Sequence, residues 1–73
     1  MGRLNGISGK EAVKAFERAG FEVIQAKGSH VRVKKMGFRM LVIPLHKEVS
    51  PYLLRDQIKR SGLTEDQFLE FLR

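Results

Sequence analysis

Two short breaks, Gly28-Ser29 and Gly37-Phe38, divide the middle of this chain into three runs rich in β-branched and aromatic residues: Phe21 to Lys27, His30 to Met36 and Arg39 to Leu45. Runs of this length joined by two glycine-containing turns predict consecutive hairpins, and therefore a three-stranded antiparallel meander. Pro44 cannot donate to a ladder, which places it near the end of an edge strand or on that edge's open side. A lone meander cannot bury its apolar face, so flanking elements must cover it.

Both flanks carry helix signals. Ser8-Gly9-Lys10-Glu11 has the spacing of a capping box, with Ile7 and Ala12 at staple positions, so a helix starts at Gly9. Ala12, Val13, Phe16 and Ala19 recur at helical spacing, and Gly20 stands where a helix often ends in a left-handed residue. After the strands, Ser50-Pro51 supplies an N-cap and a first-turn proline, with Val49 and Leu54 as a staple. This second helix runs to about Ser61, with Leu54 and Ile58 as its core stripe and Gly62 as its end. Thr64 with Gln67 repeats the capping-box spacing ahead of a short third helix.

The expected class is α+β, in the order α-β-β-β-α, with a three-stranded antiparallel sheet, both helices on one face and a short C-terminal helix. If Leu41, Ile43 and Leu45 pack inward, Met40 and Val42 join His30, Arg32 and Lys34 on the open face. Phe16, Phe21, Phe68 and Phe71 read as core rings and Tyr52 as a partly buried one. Met36, Phe38 and Met40 are candidates for a contact surface.

With 73 residues, the chain predicts one small domain over 1–73, able to bury only about 60% of its unfolded surface. Zero cysteines remove disulfides and thiolate chemistry and fit a reducing compartment. Two histidines sixteen apart without a clustered carboxylate make a poor metal site, so no metal or cofactor is expected. Met40 to Leu45 is far too short to cross a bilayer, and residues 1 to 8 lack a signal peptide's apolar core. The expectation is a cytosolic protein with no membrane partner. Met1-Gly2 opens a myristoylation signal, but Gly6 stands where that motif wants Ser or Thr.

Fourteen Lys and Arg against eight Asp and Glu give a net charge of +6. Such a field favours a polyanion, and its spread along the strands and second helix differs from a basic membrane tail. The candidate site follows from Lys27-Gly28-Ser29-His30 leading into a basic alternating strand. His30, Arg32 and Lys34 share one face, and Val31 and Val33 share the other. An imidazole titrates near neutral pH, so beside fixed cations it can move a proton while they hold a phosphate. Any solvated strand with one histidine has the same pattern, so this spacing alone does not assign a nuclease. His46, just past the third strand, reads as a loop residue that fixes a turn, with reach to the same end of the sheet as His30 as the functional alternative, and Ser29 reads as a turn residue. Arg55, Lys59 and Arg60 read as a solvated helix face, with contact to RNA or a protein partner as the functional alternative.

The element order resembles the double-stranded RNA-binding fold. Gly20-Phe21, Lys27-Gly28-Ser29-His30, Val42-Ile43-Pro44-Leu45-His46, Leu54 to Ile58 and Ser61-Gly62-Leu63-Thr64-Glu65 with Phe68 together resemble the HicA family of toxins. That resemblance implies a small endoribonuclease that cleaves mRNA, arrests growth and is neutralised by a HicB-like antitoxin. It assigns the catalytic histidine to His30. Many members follow that histidine with another histidine or an aromatic residue, whereas Val31 follows here.

RNA carries its own nucleophile in the ribose 2′-hydroxyl, so metal-independent cleavage needs proton transfer and charge stabilisation. His30 is the candidate general acid or base. Lys27, Arg32 and Lys34 are the candidate phosphate contacts, with the Gly28 and Ser29 amides as further donors. The alternatives are a non-catalytic RNA-binding module of the same topology and a domain whose basic face docks an acidic protein.

Overall fold

The computed structural model describes residues 3–73; Met1 and Gly2, weighed above as a myristoylation signal, lie outside the described residues. The order is α1 (Gly9–Arg18), β1 (Glu22–Lys27), β2 (His30–Lys34), β3 (Leu41–Pro44), α2 (Pro51–Arg60) and α3 (Glu65–Leu72). The strands form an antiparallel sheet in the order β1-β2-β3, so the α+β meander is as read.

α1 starts where its capping box sets it. The Glu11 amide donates to Ser8 Oγ at 3.1 Å and the Ser8 amide donates to Glu11 Oε1 at 2.9 Å. Gly9 is needed there for space. A Cβ on it would lie 2.1 Å from the Pro44 carbonyl oxygen, and its amide donates to the His46 carbonyl at 2.9 Å. The first turn of α1 is thus pressed against the end of β3. Gly20, at φ 104°, releases the chain from α1 into β1.

β2 is the middle strand, with Val31 and Val33 buried and His30, Arg32 and Lys34 exposed. β1 is an exposed edge whose register shifts between Val23 and Gln25, leaving Ile24 as an extra residue. β3 is the other edge, and α2 reaches it through one side chain: Gln57 Nε2 donates to the Val42 carbonyl at 3.0 Å. On that edge an N–H at Pro44 would have no ladder partner, because Leu45 is the residue whose amide turns inward, to the Ser29 carbonyl at 2.6 Å.

One buried cluster joins Val31, Val33, Leu41 and Ile43 of the sheet to Phe16 of α1, Leu54 and Ile58 of α2 and Phe68 of α3. Phe16 is its hub, 5.8 Å from Phe21 in an edge-on pair and 5.1 Å from Phe68. The third helix also begins on a capping box, Thr64 with Gln67. Arg18 caps its far end by donating to the Phe71 and Arg73 carbonyls at 2.6 and 2.7 Å.

Several expectations need correction. Leu45 is 36% exposed: it lies just past the end of β3, at an open groove beside Lys10, Val13 and Lys14 of α1. Tyr52 points away from the core and is 81% exposed. Phe71 is only partly buried, at the margin of the cluster. Ser50 occupies the N-cap of α2, but its side chain makes no capping bond. β2 and β3 are also shorter than read, because the turn between them is drawn onto the helices. Lys35 Nζ donates to the Ala19 carbonyl at 2.9 Å and stands over the Phe21 and Phe38 rings. Phe38 in turn packs so closely on Gly62 that a Cβ there would meet its ring at 2.6 Å.

Candidate nucleic-acid interface

The Gly28-Ser29 turn has Gly28 at φ 60° and no positive φ at Ser29, the pattern of a type II′ hairpin turn. It pairs Lys27 with His30 and, two steps along, Gln25 with Arg32. On the far side of β2, His30 pairs with Pro44 and Arg32 with Val42. Two rows therefore cross the open face, Lys27-His30-Pro44 and Gln25-Arg32-Val42. Directly opposed side chains in such rows have Cβ atoms roughly 4.5–5.5 Å apart.

Between these rows lies an open depression of about 390 Å³ lined by Gln25, Lys27, His30, Arg32 and Val42. It brings together three of the residues singled out from the sequence: Lys27, His30 and Arg32. Val42, placed on this face by alternation, forms a half-buried apolar part of the lining. Gly28 and Ser29 sit at its end in the turn, which the Leu45 amide ties to the end of β3. Neither turn amide donates to a backbone carbonyl among the described residues. The space around Gly28 is open, with no atom within 4 Å of a built Cβ.

Lys34 is on the same face but outside the lining. Its ammonium donates to the Lys35 carbonyl at 3.1 Å and to the Phe38 carbonyl, so it serves the β2–β3 turn. His46 is exposed and also outside the lining; its backbone carbonyl receives the Gly9 amide.

Gln25 was not singled out from the sequence, although a two-residue turn already places it. Once Lys27 faces His30, Gln25 must face Arg32.

The electrostatics of the depression are one-sided, because no carboxylate lines it. The ion pairs lie elsewhere: Arg3 with Asp66, Arg55 with Glu65 at 3.5 Å, and Arg60 with Asp56 at 3.1 Å. Arg18, Lys34 and Lys35 are held by backbone carbonyls. Lys27 and Arg32 have no such partner among the described residues, so their charge is unopposed beside His30. Of the basic residues read on α2, Arg55 and Arg60 are engaged within the fold, and Lys59 has no ion-pair partner among the described residues. No group of three or more His, Cys, Asp or Glu gathers into a metal-binding cluster among the described residues. No helix among them is long and apolar enough to cross a membrane.

This arrangement suits an anion whose reaction needs a proton moved. Cations and free backbone amides can hold a phosphate, and an accessible imidazole stands within the same depression. A family described as HicA toxin of bacterial toxin-antitoxin matches residues 9–63, from the start of α1 to just past α2, and so includes the whole depression. No curated protein matches the chain.

Proposed function

The chain belongs to the HicA toxin family of bacterial toxin–antitoxin systems, and from that premise we propose that it is a metal-independent endoribonuclease acting on mRNA, with His30 as its proton carrier. The observation that carries this reading is the placement of His30 in one depression with Lys27 and Arg32, neither of them neutralised by a carboxylate.

In the proposed reaction, the ribose 2′-oxygen loses its proton and attacks the adjacent phosphorus. The bond from phosphorus to the 5′-oxygen breaks, and that oxygen takes up a proton. The products are a 2′,3′-cyclic phosphate and a 5′-hydroxyl. His30 carries one of the two protons, and solvent water or the Lys27 ammonium carries the other. Lys27 and Arg32 neutralise charge building on the non-bridging oxygens, and the Gly28 and Ser29 amides add donors beside them. Lys34 stands at the edge of this site, its ammonium shared with the turn. A HicB-like antitoxin covering the same face would block RNA entry. The proposed setting is the cytoplasm, with 1–73 acting as a single domain.

The test is incubation of wild-type protein and His30→Ala with a defined mRNA in excess chelator, with product ends mapped. Cleavage by wild type alone, leaving cyclic phosphate ends, supports the assignment. Equal cleavage by a folded His30→Ala protein refutes it. RNA bound by both but cut by neither assigns the face to RNA binding without catalysis.

A further inference from the structure

The polar side chains lining the depression are unequal in what they can offer a base. Lys27 and Arg32 carry only donors. On the ribonuclease reading, on which this inference rests, the His30 lone pair is committed to proton transfer. That leaves Gln25 Oε1 as the side-chain acceptor of the depression. The other glutamines spend their amides inside the fold, Gln57 on the Val42 carbonyl and Gln67 in the Thr64 capping box. Gln25 is exposed on β1, opposite Arg32, and has no hydrogen-bond partner among the described residues. Val42, on the far side of Arg32, offers an apolar surface for the face of a base.

Single-stranded RNA is recognised largely through the edges and faces of splayed bases. A keto oxygen or ring nitrogen entering this depression can be met by Lys27 or Arg32. The exocyclic amine of adenine or cytosine is itself a donor, and among donors it is left unpaired and close to positive charge. We infer that Gln25 forms a nucleobase subsite, its Oε1 accepting from the exocyclic amine of adenine or cytosine next to the scissile phosphate. Gln25 is thus a specificity-determining residue, and the depression takes amino bases because of it.

The experiment separates base selection from cleavage by measuring binding in a His30→Ala background. Fluorescence anisotropy with hexamers of adenylate, cytidylate and uridylate at low salt gives the affinity ratio of amino to keto base. Adding Gln25→Ala is expected to lower that ratio about 5-fold, the net worth of one hydrogen bond at an open site. Adding Gln25→Glu, which keeps an acceptor, is expected to restore the ratio even though its charge weakens all three affinities. A ratio unchanged within twofold by Gln25→Ala overturns the inference, as does failure of all three hexamers to bind. If the ratio shifts as expected but His30-intact protein cuts no RNA, the subsite stands and the ribonuclease reading falls.

Discussion

His30 is held by its neighbours' backbones and leaves its side chain to solvent, so its replacement should separate activity from stability. His30→Ala is expected to lower cleavage by about 10²–10⁴-fold, the usual contribution of a positioned acid or base. The melting temperature should stay near that of wild type, because exposed positions away from caps and cores tolerate change. Parallel cleavage and thermal-denaturation measurements check both halves. The face of His30, Arg32 and Lys34 was legible from alternation alone, since Val31 and Val33 leave β2 no other way to lie. The engagement of Lys34 was not. Its ammonium is claimed by carbonyls of a turn whose shape depends on Lys35 reaching α1 and Phe38 reaching Gly62. The exposure of Leu45 depends on where β3 stops, which local spacing does not encode, whereas Tyr52 stands two positions before Leu54 and so on the side of α2 away from its core stripe.

The helix starts give a direct comparison at the scale of elements. Ser8 and Ser50 both occupy N-caps, yet only Ser8 makes the side-chain bond. Ser8→Ala should cost about 1 kcal/mol, whereas Ser50→Ala should stay within about 0.5 kcal/mol, both read from urea unfolding. Gly9→Ala should cost more than its place in a first turn suggests. The added methyl would press on the Pro44–Leu45 backbone, and overpacking of this kind costs about 1–3 kcal/mol. Urea midpoints check that loss as well. The helix and strand types were readable because caps, glycine ends and staple pairs act within a few residues. The contact of Gly9 with the end of β3 spans most of the sheet in sequence, so nothing near Gly9 announces it.

Across the whole molecule, the net charge overstates what a polyanion can use. Among the described residues, six of the fourteen Lys and Arg are tied to carboxylates or carbonyls within the fold. Of the eight others, Lys27 and Arg32 are the two that line the depression, so they should contribute most directly to salt-sensitive binding of single-stranded RNA there. Lys27→Gln or Arg32→Gln should each reduce the slope of log affinity against log salt by about 0.7. Arg55→Gln and Arg60→Gln should leave it nearly unchanged, and a salt titration with a labelled oligonucleotide distinguishes the two outcomes. Composition pointed to a polyanion partner but could not say which cations face it, because that depends on which acids the fold places beside them.

The alternation of β2 carries a consequence for errors in synthesis. The same five residues supply buried valines to one side and the histidine and arginine to the other. A slip of one position would put cations into the core and valines into solvent, removing fold and site together. An insertion or deletion in this hairpin should therefore yield an inert chain that is open to proteolysis, and not a folded toxin with altered targets. For a cell carrying such a gene, faulty copies at this strand are the harmless ones.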